Sequence, residues 1–214
     1  MLKAVLFDLD GTLLNTLDDL AASVNHVLCA FGLPARTTEE VRRFVGNGVG
    51  PLGERAVGEK GALSERFMPL FQAHYAQHSL DRTAPYDGVL DMLDALRARG
   101  ILCGVVSNKP DAATKALCAH FFSDCISLAV GDVPGIPKKP APDSCLHMMK
   151  QMQVTADECI YVGDADTDVN VAKNARMRFI GAAWGFRGRD YLMQVGASRV
   201  ADTVAKLTQM LLND

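Results

Sequence analysis

Positive charge is nowhere gathered in this chain. No run of lysines or arginines forms a patch or a basic arm, and the net charge is -3. Loose attraction to nucleic acid or to a membrane surface needs such a patch, so neither partner is expected. Cysteine motifs are missing as well. The six cysteines (Cys29, Cys103, Cys118, Cys125, Cys145 and Cys159) form no C-x-x-C pair and have no histidines at ligand spacing. That pattern argues for reduced, buried thiols and against a disulfide framework or a zinc site. Long apolar runs are absent, so no segment suggests a membrane span. The short apolar stretch behind Met1-Leu2-Lys3 ends at Asp8, too brief and too acidic at its end for a secretion signal. The expected setting is reducing and cytoplasmic, and no repeat or low-complexity tract is visible.

What is present is an ordinary globular composition, 49% hydrophobic and 22% charged, over 214 residues. Either one large α/β domain or a core with a smaller insert fits that length. Short continuous apolar runs lie at Ala4 to Phe7, Ile101 to Val106, Cys125 to Val130, Ile160 to Val162 and Phe179 to Trp184. They do not alternate, which suits strands covered on both faces. Amphipathic helical patterns separate most of them. One such helix is capped by Asp87, presents Val89, Leu90, Leu93 and Leu96, and stops at Gly100. Thr155 predicts the cap of a single turn before the strand at Ile160. This alternation predicts a Rossmann-like parallel sheet with crossover helices. From about Asn15 to Ala84 the rhythm breaks into helices alone, with Thr16-x-x-Asp19, Thr38 and Ser64 as candidate N-caps. The domain expectation is therefore a core of residues 1-14 and 85-214 with a helical cap at 15-84.

Three predicted strands end in polar groups at the carboxyl edge, where open α/β sheets bind ligands. They deliver Asp8-Leu9-Asp10-Gly11-Thr12, Ser107-Asn108, and Gly163-Asp164-Ala165-Asp166-Thr167-Asp168. A proline-stiffened loop, Pro137-Lys138-Lys139-Pro140-Ala141-Pro142, lies between the last two. Two like charges ~4 Å apart repel by roughly 4 kcal/mol at an effective dielectric of 20. Asp8, Asp10, Asp164 and Asp168 at one edge therefore call for a cation. Oxygen ligands without His or Cys point to a hard ion, Mg2+ beside a phosphate. A lysine and a hydroxyl in the same cleft suit the grip of phosphate oxygens.

Asp8-x-Asp10-Gly11-Thr12, Ser107, Lys139-Pro140-x-Pro142 and Gly163-Asp164-x-x-x-Asp168 resemble, in order, the four motifs of the haloacid dehalogenase superfamily. The resemblance spans essentially the whole chain. The stretch from Gly11 to Leu20, Val45-Gly46-Asn47-Gly48, Pro85-Tyr86-Asp87-Gly88-Val89 and Trp184-Gly185-Phe186-Arg187 resemble its phosphoglycolate phosphatase branch. This likeness implies that Asp8 attacks phosphorus and forms an aspartyl phosphate. Asp10 would then protonate the leaving alkoxide and activate water for the second step. Mg2+ would be held by Asp8, the backbone carbonyl of Asp10 and Asp164, with Asp168 orienting waters or Lys139. Thr12, Ser107, Asn108 and Lys139 would bind the phosphate, while Lys138 faces solvent. Asn108 reads equally as a shaper of the turn, and Asp166 as exposed loop charge.

In the cap, Gly46, Asn47, Gly48 and Arg55 are candidates for the leaving group, with a plain loop and a solvated arginine as the alternatives. A lid that closes over substrate is expected there. Two departures from the family pattern stand out: Asn15, where relatives often carry Asp, and Arg176, where they commonly carry Gly. The five histidines receive no role. The implied partner is a small phosphorylated metabolite, 2-phosphoglycolate first, with the protein a monomer or homodimer. Asp10 speaks against dehalogenation, and the absence of lysine from Leu14 to Phe31 against phosphonate hydrolysis. A pyrophosphatase, a sugar phosphomutase or a non-catalytic phosphate-binding module are the remaining alternatives.

Overall fold

The computed structural model describes residues 1–58 and 61–214, which divide into two compact units, 1–14 with 85–214, and 15–84. In chain order, β1 (Ala4–Phe7) and β2 (Leu14–Asn15) precede four helices: α1 (Leu17–Ala30), α2 (Thr38–Phe44), α3 (Val49–Val57) and α4 (Ala62–His78). Next come β3 (Ala84–Pro85), α5 (Val89–Ala98), β4 (Leu102–Pro110), α6 (Asp111–Phe122), β5 (Leu128–Asp132) and α7 (Asp143–Met152). A 3-10 turn at Ala156–Glu158 leads into β6 (Cys159–Gly163) and α8 (Asp166–Asn174). The chain closes with β7 (Arg178–Ala182), α9 (Gly188–Gln194), β8 (Val200–Ala201) and α10 (Val204–Leu212).

Six strands form one parallel sheet in the order β5-β4-β1-β6-β7-β8. The chain steps outward from β1 to β5, then returns to β1's other side and steps outward again. That reversal is the Rossmann-like arrangement, and it opens a crevice at the carboxyl end of β1. β1 is buried on both faces, which is why its sequence is a continuous apolar run. Val5 and Phe7 join Val89, Met92, Leu93, Leu96, Leu207 and Leu211 in one apolar layer. Ala4 and Leu6 join Met148, Met149, Met152, Val171 and Ala172 in the other, the alternation that a strand imposes. The short β2 and β3 pair as a separate two-stranded sheet.

Several local expectations shift. The run from Cys125 does not start a strand: the backbone N–H groups of Cys125 and Ile126 bond to the Phe122 carbonyl and finish the turn after α6. β4 runs past Val106 to Pro110, with its pairing to β5 irregular between those residues. In α5 the cap position is Gly88, with no side-chain cap, and Leu90 faces solvent while Met92 is buried. Cys29 is exposed and Cys125 half-buried, so not every thiol is in the core. No helix among the described residues is long and apolar enough to cross a membrane.

In the helical unit, α1 buries Leu17, Leu20, Ala21, Val24, Val27 and Leu28, the stripe its sequence spacing predicts. Thr16 makes no capping bond with its side chain. Asp19 is drawn elsewhere, accepting from the backbone N–H groups of Arg82 and Thr83 and from the Thr83 hydroxyl at 3.1, 2.8 and 2.8 Å. The cap of α2 is Thr37, one residue before the expected Thr38, in a reciprocal box with Glu40. Ser64 lies inside α4, its hydroxyl accepting from the backbone N–H of Gly61. His26, His74 and His78 stack in a row, with ring centroids 4.1 and 4.3 Å apart.

Candidate active site at the carboxyl edge of the sheet

Asp8 follows directly on β1, held in line by its backbone N–H bond to the Val162 carbonyl at 2.9 Å. The chain must then turn at once, and Gly11 makes this possible with φ 81°. A Cβ on Gly11 would stand 2.5 Å from Asp164 Oδ2 and 3.0 Å from the Phe186 ring. Conformation and space therefore both demand glycine. Asp10 pairs with a lysine from β4: both its carboxylate oxygens lie near Lys109 Nζ, at 2.9 and 3.1 Å.

Lys139 is the hub of the site. Its ammonium lies 2.9 Å from Asp8 Oδ1, 2.7 Å from Asp168 Oδ1 and 2.9 Å from the Tyr161 hydroxyl. Tyr161 in turn donates to the Val106 carbonyl at 2.9 Å. The Lys139 backbone is fixed by Asn108, whose amide donates to the Lys139 carbonyl and accepts from its N–H at 3.0 and 2.9 Å. Asn108, read equally as a phosphate contact and a shaper of the turn, uses both its side-chain oxygen and nitrogen on the lysine loop. The Lys139–Pro140 peptide is cis. Lys138 instead points outward and pairs with Asp132 at 2.6 Å.

Asp168 is fully buried. Its Oδ2 accepts from the backbone N–H groups of Asp164 and Ala165, both at 3.0 Å, while Oδ1 takes Lys139. Asp164 Oδ2 accepts from the backbone N–H of Phe186 at 2.6 Å. Gly185 lets that loop come close, since a Cβ there would stand 2.5 Å from the Gly11 carbonyl and against the Asp164 side chain. Ser107 is buried at the end region of β4, and its Oγ accepts from the Lys109 N–H at 3.3 Å. Thr12 is buried with no hydrogen-bond partner for its hydroxyl among the described residues, while its carbonyl accepts from the Trp184 indole at 3.1 Å.

Charge does not balance within these side chains. Four carboxylates (Asp8, Asp10, Asp164 and Asp168) meet two ammonium groups (Lys109 and Lys139), and four minus two leaves a deficit of two. Burial first, then the Asp168 charge, pushes the Asp8 carboxyl up to about 7, although Lys139 pulls it down. The same causes raise Asp164 well above the usual carboxylate range. Carboxylate oxygens of Asp8, Asp164 and Asp168 lie within 4.8 Å of one another. A divalent ion fits that charge deficit, and an all-oxygen donor set suits a hard one. Asp168 belongs to this group by proximity, yet its oxygens are already taken by Lys139 and two backbone amides, so Asp8 and Asp164 are the better-placed donors.

Asp166 lies outside the cluster, opening α8 and bonding to Tyr191. Gly46, Asn47 and Gly48 form the loop between α2 and α3 of the helical unit. The Arg55 guanidinium joins that loop, donating to the Phe44 carbonyl at 2.6 Å and to Asn47 Oδ1 at 2.7 Å. Lys109 and Tyr161 are site residues the motifs do not reveal, whereas Gly185 and Phe186 lie in the Trp184–Arg187 stretch that carries the branch resemblance but was given no site role. Lys109 carried one available signal, a lysine directly after the Ser107-Asn108 pair at a buried strand end. Tyr161 carried another, a lone hydroxyl in an apolar strand.

The family description "haloacid dehalogenase-like hydrolase" matches residues 5–182. The phosphoglycolate phosphatase of Rhodospirillum rubrum is 35% identical, over 99% of this chain and 91% of that one. That of Pseudomonas putida is 36% identical over 86% of this chain and 70% of its own. A crystal structure from Lactobacillus delbrueckii subsp. bulgaricus has a TM-score of 0.93 at 33% identity, covering 99% of both chains. The chain belongs to the haloacid dehalogenase-like hydrolases, as a phosphatase of the phosphoglycolate phosphatase-like kind with a helical region inserted between strands.

Proposed function

We propose that the chain hydrolyses a small phosphate monoester, 2-phosphoglycolate first, through an aspartyl-phosphate intermediate on Asp8. The observation that carries this reading is the placement of Asp8 in the carboxylate cluster, one oxygen 2.9 Å from Lys139, with Asp164 and Asp168 beside it. The relatives from Rhodospirillum rubrum and Pseudomonas putida, which bear the name phosphoglycolate phosphatase, support the choice of substrate.

In the first step an Asp8 oxygen attacks phosphorus, the bond from phosphorus to the alkyl oxygen breaks, and the leaving oxygen takes its proton from Asp10. In the second, Asp10 removes a proton from water, whose oxygen attacks phosphorus and frees Asp8 and inorganic phosphate. Lys139 and Ser107 offset the charge on the phosphoryl oxygens; Thr12 offers a further hydroxyl. Asp8, the Asp10 backbone carbonyl and Asp164 would hold Mg2+, which supplies charge neutralisation for the transferring phosphoryl group. Asp168 holds Lys139 and the Asp164 loop in place. Gly46, Asn47, Gly48 and Arg55 stand as candidates for the leaving group beside the plain reading, in which Arg55 braces its own loop through the Phe44 carbonyl and Asn47.

The test is a phosphate-release screen with Mg2+ over 2-phosphoglycolate, pyrophosphate, hexose phosphates and nucleotides, run beside Asp8→Asn. Hydrolysis of 2-phosphoglycolate above the others, abolished in Asp8→Asn, is expected. Undiminished activity in the purified Asp8→Asn protein would remove the covalent mechanism, and a preference for pyrophosphate or a sugar phosphate would remove the substrate.

A further inference from the structure

Lysines are almost never buried unless paired, and the Lys109 side chain is only 3% exposed. Its backbone is gripped from three directions. The Lys109 N–H donates to Ser107 Oγ at 3.3 Å, its carbonyl accepts from the Thr114 hydroxyl at 3.3 Å, and Gly131 packs against that carbonyl with no room for a Cβ. The irregular pairing of β4 with β5 between Val106 and Pro110 falls on this same segment. A fixed backbone together with a buried side chain narrows where the ammonium can stand.

The ammonium stands across Asp10, at 2.9 Å from one carboxylate oxygen and 3.1 Å from the other. The last torsion of an aspartate is broad and roughly two-fold. An aspartate that must offer one oxygen first to a leaving group and then to water gains from having its plane held. Lys139 contacts the other strand-end aspartate differently, through Asp8 Oδ1, and the structure thus separates the two ammonium groups between the two carboxylates.

We propose that Lys109 is a positioning residue for proton transfer: it orients the Asp10 carboxylate toward the leaving oxygen and the hydrolytic water. This rests on the reading of Asp10 as the acid and base. The experiment follows single-turnover release of the leaving group from two substrates in the Mg2+-loaded enzyme. 2-Phosphoglycolate loses an alkoxide that needs a proton, whereas p-nitrophenyl phosphate loses a phenolate that does not.

Lys109→Met is expected to slow the first about 100-fold, the lower range of general acid catalysis, and the second less than about 10-fold, with KM for both nearly unchanged. Lys109→Arg, which keeps the charge and alters the geometry, is expected to recover part of the alkyl rate and serves where Lys109→Met fails to fold. In an Asp10→Asn background, Lys109→Met should add no further loss. Equal slowing of both substrates by the Lys109 variants, or a further loss in the Asp10→Asn background, would overturn the inference and leave the role of Asp10 intact. If Asp10→Asn itself slows both substrates equally, the reading of Asp10 falls, and this inference with it.

Discussion

Asp168 Oδ1 lies 2.7 Å from Lys139 Nζ, and both side chains are essentially sealed from solvent. Breaking such a buried pair typically costs about 3–5 kcal/mol, and because Lys139 keeps Asp8 at 2.9 Å the lower end of that range applies here. Asp168→Ala is therefore expected to lower Tm by roughly 10 °C, taking about 2–4 °C per kcal/mol for a chain of this size. Asp168→Asn keeps the shape and loses the charge, so it should retain more stability yet lose activity by about 10–100-fold, as outer partners of metal sites do. Thermal melts beside steady-state rates separate the two effects.

A cation held at Asp8 would compete with a proton for it. Because burial, then Asp168, raises that carboxyl to about 7, affinity for the cation should weaken as pH falls through 7, by up to about 10-fold per pH unit below it. The metal-free protein runs the other way. Its folded state holds the extra proton, so the Asp8 contribution to stability declines as pH rises from about 4 to 7. Melting curves with Mg2+ and with a chelator, at pH 5.5 and 8, should show the larger Mg2+ stabilisation at pH 8.

The Phe186 N–H holds Asp164 at 2.6 Å only because Gly185 admits the loop. Gly185→Ala should push Asp164 out of place and weaken cation binding by about 10–100-fold. Calorimetric titration with Mg2+ reads this directly; unchanged affinity would contradict it.

Burial, then His26 and His78, lowers the His74 imidazole below its usual range, with Asp81 pulling the other way. The unfolded chain thus takes up the proton at higher pH than the folded unit does. Stability contributed at His74 is present at pH 8 and is lost as pH falls below about 6.5. Protection of amides in α1 and α4, corrected for the intrinsic exchange rate at each pH, should fall between pH 7.5 and 5.5, and His74→Gln should flatten that fall.

Arg176 sits at φ 57°, ending α8 with the Met177 N–H bonded back to the Ala172 carbonyl at 2.8 Å. The position is left-handed, where glycine is the easy residue. Arg176→Gly is expected to raise Tm by a few degrees, equivalent to about 1 kcal/mol or less.

The sheet was legible because a strand buried on both faces must be apolar throughout, and Ala4 to Phe7 could be nothing else. Asp8, Asp10, Lys139 and Asp164 were legible because polar groups closing such strands stand out against them. Helix boundaries were harder to read: Thr16 and Thr38 have cap chemistry, but Asp19 is claimed by Arg82 and Thr83, and Thr37 answers Glu40. The short β8 carries too few residues to show any period. Lys109 was hidden for a different reason. Its role depends on its pairing with Asp10, which lies 99 residues away in sequence.

The central position of β1 has a consequence for the order of assembly. Asp8, Ser107 and Lys109 all lie on the half of the sheet made by β5, β4 and β1, which is complete at Asp132. The other edge of β1 is covered only by β6, which begins at Cys159 and pairs Phe7 with Val162. A chain still emerging from synthesis therefore carries β1 with one row of backbone groups unpaired, an open template for a second strand. The strand that protects this edge is the one that brings Asp164, so folding safety and delivery of that carboxylate arrive in the same event.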